Sequence, residues 1–298
     1  MIAILISTYN GEKYICKQLD SIFEQTYKQF HIYIRDDGSV DSTVSVINDY
    51  IRNNSLEDKI TVVSGRNIGF CKSFRKLLEM SKDEDYWAFC DQDDFWLPNK
   101  LEFALEMLND LSDEKPVMYF ACFDYVDECL NFRKTYNPHY ELYTFEKSLT
   151  SSICYGFTCV INGNLREKLL RCDWGKIQSH DWFASMISMA FGQLIYDPRI
   201  VALHRLHVSN DSPNSIKDKI KRGYTLFGQE SFYTLNVREF YRIYSGELSQ
   251  KQQKFVKRFL NYRYDIPNML FKVFYPHRWN DDLLVEIVIR LLMLIGKI

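Results

Sequence analysis

Short runs of β-branched and aromatic residues alternate with amphipathic helical patterns through the first 123 residues of the chain. Compact apolar runs bounded by turn residues predict strands, and apolar residues spaced three and four apart predict helices. The predicted strands are Ile2–Ser7, His31–Asp36, Ile60–Ser64, Tyr86–Cys90 and Val117–Phe123, and the predicted helices are Glu12–Gln25, Ser42–Asn53, Phe70–Ser81 and Pro98–Leu111. This alternation predicts an α/β fold with a mostly parallel sheet flanked by helices.

The regular alternation ends after residue 123. Residues 124–150 have no clear period. Beyond them we predict strands at Ile153–Ile161 and Gln193–Ile200, a helix near Leu165–Arg171, and a second helix that opens at His180-Asp181-Trp182. From residue 216 the sequence is helical, basic and aromatic, which indicates an extension packed on the first domain or on a membrane surface.

Polar clusters directly follow the first four predicted strands. They are Ser7-Thr8-Tyr9-Asn10-Gly11, Asp36-Asp37-Gly38-Ser39, Arg66-Asn67-Ile68-Gly69 and Asp91-Gln92-Asp93-Asp94. Each alone is compatible with ordinary loop chemistry, since Asp41 can cap a helix and Gly38 can supply a positive φ. Because parallel strands present their carboxyl ends at one edge of a sheet, four such clusters in register indicate a ligand site there.

The acidic cluster at residues 91–94 places three carboxylates behind the apolar run Tyr86–Cys90. Crowded carboxylates repel one another and are costly to desolvate, so they require either open water or a cation. A solvated acidic turn is the simpler interpretation. A hard divalent cation such as Mg²⁺ or Mn²⁺, held by one or two carboxylates, keeps positions for substrate phosphates and indicates a nucleotide or nucleotide-sugar ligand.

Composition narrows the class of protein. The 298 residues are 46% hydrophobic with a net charge of −2, so no global field recruits nucleic acid. The eight cysteines contain no CxxC pair and are expected to be reduced residues of a cytoplasmic protein. The start of the chain has no signal-like segment, and the longest apolar run, Leu283–Ile295, is interrupted by Glu286 and Arg290, so no export and no spanning helix are expected.

Taken together, these motifs resemble glycosyltransferase family 2 enzymes of the GT-A fold, and in particular are similar to bacterial rhamnosyltransferases of polysaccharide biosynthesis. The resemblance runs from about Ile2 to Asn210, and it includes His180-Asp181-Trp182 and the Arg205, His207 and Asn210 group. It implies a GT-A catalytic domain at 1–212, with a nucleotide-binding half at 1–123 and an acceptor-binding half at 124–212, and a helical extension at 213–298.

The resemblance also implies roles for individual residues. Those expected at the nucleotide are Ser7, Thr8, Tyr9, Asp37, Asn67 and Asp91. The expected metal ligands are Asp93, Asp91 and His207, with Asp94 in a supporting position. Asp181 matches the general base, and Trp96, His180 and Trp182 are candidates for contact with the sugar or acceptor. Leu206 and Val208 replace the Gln and Gly that are commoner in this subgroup, so the loop carrying His207 departs from the family pattern.

The chemistry agrees with these assignments. A divalent metal (Mn²⁺ or Mg²⁺) acts as a Lewis acid on the developing diphosphate charge, and a carboxylate takes the proton of the attacking alcohol. Asp181 can instead simply cap a helix. Gln92 and Trp96 are what make the chain similar to the rhamnosyl subgroup, and this resemblance implies dTDP-L-rhamnose as the donor and a glycan or lipid-linked oligosaccharide of the bacterial surface as the acceptor. The alternatives are a UDP-hexose or UDP-N-acetylhexosamine donor, or a module of this fold that binds nucleotide sugar or glycan without turnover.

Two segments of the extension combine basic and apolar residues at helical spacing. Their basic residues are Lys217, Lys219, Lys221 and Arg222 in the first, and Lys251, Lys254, Lys257 and Arg258 in the second. This pattern is typical of an amphipathic helix on an anionic membrane. An ordinary helical appendage packed on the catalytic domain is the other interpretation.

Overall fold

A computed structural model describes residues 1–109, 111, 114–206, 231–261 and 265–298. Its single sheet has nine strands in the order β3-β2-β1-β4-β8-β6-β9-β5, with β7 paired to β6. The strands are β1 (Ile2–Thr8), β2 (Phe30–Asp36), β3 (Ile60–Ser64), β4 (Tyr86–Cys90), β5 (Phe95–Trp96), β6 (Val117–Val126), β7 (Phe132–Tyr136), β8 (Val160–Asn162) and β9 (Gln193–Arg205).

Helices cover both faces of this sheet and form the C-terminal part. Those within the first 206 residues are α1 (Ile15–Phe23), α2 (Thr43–Asn53), α3 (Phe70–Met80), α4 (Lys100–Leu108), α5 (Phe145–Ser148), α6 (Gly163–Leu170) and α7 (His180–Phe191). The described C-terminal helices are α8 (Phe232–Tyr244), α9 (Gln250–Leu260), α10 (Ile266–Val273) and α11 (Leu283–Leu294). None of the helices in the described ranges is long and apolar enough to cross a membrane.

The first half of the sheet is parallel, as its sequence predicts. β1 pairs in parallel with β2 on one side and β4 on the other, and β2 pairs in parallel with β3. Thr8 is opposite Asp36 and Ile6 is opposite Cys90, so the loops after β1, β2 and β4 leave the sheet at one edge. The polar clusters therefore meet, as the alternation of strands and helices indicates.

The second half of the sheet is mixed, and here the sequence prediction needs correction. The apolar run 153–161 contributes only the last residues to β8, because a 3₁₀ turn at Gly156–Thr158 interrupts it. In that turn the Thr158 N–H donates to the Tyr155 carbonyl and the Cys159 N–H to the Gly156 carbonyl. The apolar residues of this run are buried, although most of them do not belong to a strand.

Alternate residues of β1 face two separate hydrophobic cores. Ile4 belongs to one core and Leu5 to the other. The core around Leu5 also contains residues of the C-terminal helices, among them Val237, Phe240 and Trp279. The helical extension is thus packed on the catalytic part through a continuous apolar core, as in the appendage interpretation of the sequence.

Candidate active site

The side chain of Gln92 ties the acidic loop to the loop after β1. Its Oε1 accepts the Tyr9 N–H at 3.0 Å and its Nε2 donates to the Tyr9 carbonyl at 3.0 Å. The contact is so close that a Cβ on Gly11 would lie 2.1 Å from the Gln92 Oε1. Gln92, which the sequence associates with the donor sugar, therefore holds the acidic loop and the loop after β1 together through hydrogen bonds.

The loops after β1 and β2 are joined by a second set of polar contacts. The Asn10 N–H donates to the Ser39 Oγ and the Val40 N–H donates to the Asn10 Oδ1, both at 2.9 Å. The Asp36 carboxylate accepts the N–H groups of Gly38 and Ser39. These contacts fix the edge of the sheet as one surface, with half-exposed Tyr9 upon it.

Asp37 anchors the loop after β3 to the loop after β2. Its Oδ1 accepts from the Arg35 guanidinium at 2.5 Å and from the Ile68 N–H at 2.9 Å, and its Oδ2 accepts from the Gly69 N–H at 2.8 Å. Arg35 also donates to the Ser73 Oγ at 3.1 Å. Asp37 is only 2% exposed, so most of its hydrogen-bonding capacity is directed into the protein.

Three other predicted nucleotide residues occupy different environments. Ser7 is partly buried and donates to the Ser73 Oγ at 2.7 Å, whereas Asn67 is exposed at the same edge. Thr8 is completely buried, and its hydroxyl donates to the Asp36 Oδ1 at 3.3 Å. The Thr8 side chain therefore faces the interior, and its contact with the nucleotide stays a prediction.

Asp94 forms a buried ion pair with a histidine that the sequence analysis did not single out. The Asp94 Oδ1 accepts from the His204 Nδ1 at 2.7 Å. Burial lowers the pKa of His204, but Asp94, Asp91 and Asp93 outweigh that effect and raise it to about 9. Protonated His204 thus compensates the Asp94 charge at neutral pH, which agrees with a supporting position for Asp94.

The neighbouring Asp91 is crowded by other carboxylates, and His204 offsets only part of their effect. Burial, then the carboxylates of Asp94 and Asp93, raise the pKa of Asp91 well above its ordinary value, and Asp181 acts in the same direction. An incoming cation would relieve this repulsion. No cluster of three or more metal-ligating side chains occurs among the described residues. The arrangement fits a hard cation held by one or two carboxylates and by substrate phosphates.

Asp181 stands at the start of α7, where its carboxylate is held by two backbone N–H groups. Its Oδ2 accepts from Gly156 at 3.0 Å and its Oδ1 from Trp182 at 2.7 Å. Contacts of this kind are typical of a helix start, but this carboxylate also acts electrostatically on Asp91. The structure therefore brings the predicted base and the acidic loop to one site, while His207 lies outside the described residues.

The three aromatic candidates for sugar or acceptor contact are core residues. Trp96 is completely buried, with the Lys100 Nζ 4.5 Å from its ring centroid. The Trp182 indole N–H donates to the buried Ser148 carbonyl at 2.7 Å. The ring of His180 lies 4.4 Å from that of Phe89, inside an aromatic cluster. Packing covers their apolar surface in this structure, and their contact with sugar or acceptor stays a prediction.

Tyr125 and Tyr155 form a hydrogen-bonded pair next to residues of the predicted site. The Tyr125 hydroxyl donates to that of Tyr155 at 3.2 Å, and both side chains are partly exposed. Tyr125 is opposite His204 in the sheet, and Tyr155 directly precedes the Gly156 that holds Asp181. Sequence reasoning missed this pair, since nothing local distinguishes it from the other tyrosines of the chain.

We expect Gly156→Ala to lower kcat by up to about 10²-fold with little change in donor KM. A Cβ at this position would lie 2.7 Å from the His180 Nε2, whose ring is packed among aromatic side chains, so the turn that holds Asp181 must shift. Gly246→Ala is the matched control, because no atom lies within 4 Å of its Cβ. Steady-state kinetics on both variants measure the effect, and equal kinetics for the two would refute this role of Gly156.

Relatives with known sequences point to one class of enzyme. An uncharacterized glycosyltransferase of Rickettsia typhi is 26% identical over 227 residues, covering 73% of this chain and 69% of the relative. A dTDP-rhamnosyl transferase of Shigella flexneri is 36% identical over 107 residues, covering 35% of this chain and 36% of that protein.

Solved structures share the fold. A mannosyltransferase from Pyrobaculum calidifontis, in complex with GDP-Man and Mn²⁺, has a TM-score of 0.60 at 18% identity, over 87% of this chain and 68% of that one. Residues 1–349 of S. aureus TarS in complex with UDP-GlcNAc give a TM-score of 0.55 at 15% identity, over 98% of this chain and 89% of that one.

The fold and the site together define a glycosyltransferase of the GT-A class that uses a nucleotide sugar. The chain belongs to glycosyl transferase family 2, whose family model matches residues 3–170, more than half of its length. The expected fold class, the expected family and the expected enzyme class are thereby confirmed.

Proposed function

We propose that the protein is a metal-dependent, inverting glycosyltransferase that transfers L-rhamnose from dTDP-L-rhamnose to a hydroxyl of a glycan or lipid-linked oligosaccharide in bacterial surface polysaccharide biosynthesis. One observation carries the core of this proposal. The carboxylates of Asp94, Asp93 and Asp181 all raise the pKa of Asp91, and backbone N–H groups of Gly156 and Trp182 hold the Asp181 carboxylate at the start of α7. This proximity supports a base and a cation site that serve one substrate, as displacement of a diphosphate by an alcohol requires.

Each part of the site has a task in this reaction. Ser7, Thr8, Tyr9, Asp37 and Asn67 contact the nucleotide, and Asp37 also holds the surrounding loops. Asp93 and Asp91 would hold the divalent cation, which supplies positive charge to the leaving diphosphate. Asp181 accepts the proton of the acceptor hydroxyl. At the same time the oxygen of that hydroxyl bonds to the anomeric carbon. The bond from that carbon to the diphosphate breaks, the nucleoside diphosphate leaves, and the configuration inverts.

The donor is the finer part of the proposal. Similarity to the Shigella dTDP-rhamnosyl transferase lies within about a third of the chain and supports rhamnose. The neighbouring structures hold GDP-Man and UDP-GlcNAc, so the fold itself accommodates several nucleotides. A UDP-hexose or UDP-N-acetylhexosamine donor is the second candidate, favoured by the UDP-GlcNAc complex of TarS. A module without turnover is disfavoured because Asp181, Asp91 and Asp93 are all present.

A panel of nucleotide sugars tests the proposed donor. Release of nucleoside diphosphate is measured for dTDP-L-rhamnose, UDP-glucose, UDP-GlcNAc and GDP-mannose, each with Mn²⁺, with Mg²⁺ and with chelator. We expect release to be fastest from dTDP-L-rhamnose and to stop in chelator. Faster release from a UDP-sugar would assign that sugar as the donor instead. Preference for GDP-mannose would contradict both candidates, since dTDP and UDP carry a pyrimidine base and GDP a purine.

A cytoplasmic position at the inner face of the cell membrane completes the proposal. A lipid-linked acceptor is confined to that surface, and the basic extension supports contact with anionic lipid. The first basic segment, with Lys217 and Arg222, lies outside the described residues. The second segment is α9, whose lysines 251, 254 and 257 are exposed.

A further inference from the structure

The outer face of α10 and α11 is an apolar surface that is exposed among the residues the structure describes. Most of the strongly exposed large hydrophobic side chains of the described chain lie here. They are Ile266, Leu270 and Phe274 on and just after α10, and Leu283, Leu284, Ile287, Val288, Leu291, Leu294 and Ile295 on and just after α11. Phe274 is 74% exposed and Leu284 61% exposed. Contiguous exposure on this scale marks an interaction site in a soluble domain.

The charged residues of α11 lie on its inner side. Glu286 is buried, and its Oε2 accepts the N–H groups of Trp279 and Asn280 at 2.8 and 2.9 Å. The Arg290 Nε donates to the Glu286 Oε1 at 2.5 Å, and its guanidinium also donates to the carbonyls of Tyr275 and His277. The two charged side chains that interrupt the apolar run in the sequence thus bind each other and nearby backbone groups of the protein. The outer face of α11 is left entirely aliphatic.

The dimensions of this surface favour a shallow contact. α11 has 12 residues, or about 18 Å at the usual rise, whereas the apolar layer of a bilayer is about 30 Å thick. Glu286 and Arg290 also bind α11 to the loop at 275–280, so the helix cannot leave the protein without breaking these contacts. A helix in this position can lie in the plane of an interface but cannot span it.

A positively charged border adjoins the apolar face. Lys251, Lys254 and Lys257 are exposed on α9, which packs on α10, and they form no ion pair within the described chain. Residues 250–298 contain nine basic and four acidic residues in a chain whose net charge is −2. Of these acids, Asp265 and Asp282 cap helices, Asp281 pairs with Lys147, and Glu286 is buried.

We propose that the outer face of α10 and α11 inserts shallowly into an anionic lipid bilayer, with the α9 lysines against the lipid headgroups. Apolar insertion combined with nearby basic residues matches the chemistry of such an interface. A second copy of the chain is a weaker candidate, because a twofold interface brings each patch against itself and places the two lysine borders close together. This proposal deepens the membrane contact of the proposed function, but its test does not depend on glycosyl transfer.

Sedimentation of the full chain with lipid vesicles tests the proposal. The vesicles are phosphatidylcholine alone or an equimolar mixture with phosphatidylglycerol, at low and high salt. We expect the protein to pellet with the anionic vesicles. The triple variant Leu284→Gln/Ile287→Gln/Leu291→Gln should lose at least about tenfold in partitioning at every salt concentration. Lys251→Gln/Lys254→Gln/Lys257→Gln should lose on the order of a hundredfold at low salt, on anionic vesicles only.

Matched controls separate this surface from general effects of substitution. Phe132→Gln removes an exposed aromatic side chain from the β6–β7 hairpin and should leave partitioning unchanged. Release of nucleoside diphosphate from soluble donor should be unchanged in the apolar triple variant, which also shows that it is folded. Wild-type protein that stays in the supernatant, or an apolar triple variant that pellets normally, would overturn the proposal. A concentration-dependent dimer that the same triple variant abolishes would assign the face to a second copy instead.

Discussion

Asp181→Asn is expected to lower kcat for glycosyl transfer by about 10²–10⁴-fold, the usual contribution of a positioned general base. Donor affinity should stay within about twofold of the wild type, because the base acts on the acceptor proton in the transition state and not on the bound nucleotide. Equilibrium binding of the nucleoside diphosphate and single-turnover transfer measure the two effects separately.

The helix-start contacts of Asp181 call for a control. An amide can accept only one of the N–H groups from Gly156 and Trp182 well, so Asp181→Asn should also lower the free energy of unfolding by about 1 kcal/mol. Asp282→Ala removes a cap at the start of α11, where one carboxylate oxygen accepts from the N–H groups of Leu284 and Val285, at a similar cost of about 1 kcal/mol. It should reproduce the loss of stability and keep normal turnover. An Asp181→Asn enzyme with wild-type kcat would show that Asp181 is only a cap.

Asp93→Asn is expected to lower kcat/KM by about 10²–10³-fold, comparable to the removal of one group that stabilises developing charge. Chelation of divalent cations should have at least this effect on the wild-type enzyme, and added Mn²⁺ or Mg²⁺ should restore activity. In the Asp93→Asn variant, excess metal should restore little, because the residual Asp91 provides a single carboxylate. Metal titrations of both enzymes, followed by the rate of nucleoside diphosphate release, measure this difference.

Asp94→Asn provides the contrasting variant. Asp94 is completely buried and paired with His204, so this change leaves a buried charge without its partner and should lower the free energy of unfolding by about 3–5 kcal/mol. The metal concentration for half-maximal activity of the folded fraction should change much less than in Asp93→Asn. Full activity of the wild-type enzyme in chelator would show that glycosyl transfer does not depend on a divalent cation.

The sequence predicts the parallel half of the sheet well, because each strand there is a compact apolar run. β3 and β4 have the predicted bounds, and the other three predicted strands, at Ile2, His31 and Val117, differ only at their ends. The meeting of four polar loops at one edge follows from this parallel order. The GT-A class and the family follow from motifs in those same loops.

Other features depend on tertiary contacts that no local pattern reveals. Thr8 belongs to the polar cluster after β1 and Trp96 follows the acidic cluster, yet both side chains are completely buried. The run 153–161 is as apolar as a strand, but it folds into the turn that holds Asp181. Glu286 interrupts an apolar run in the sequence, whereas hydrogen bonds from the backbone of Trp279 and Asn280, in the loop before α11, direct it inward. Burial and long-range hydrogen bonds determine these positions.

The most direct test of the account is the location of the cation in a complex with nucleotide. Crystals of the protein grown with dTDP and Mn²⁺ can be measured at wavelengths on both sides of the manganese absorption edge. We predict one anomalous peak in contact with the Asp93 carboxylate and the diphosphate oxygens, with Asp181 facing the open side of that diphosphate. A diphosphate bound at this edge of the sheet without manganese, or manganese bound away from Asp91 and Asp93, would contradict the account.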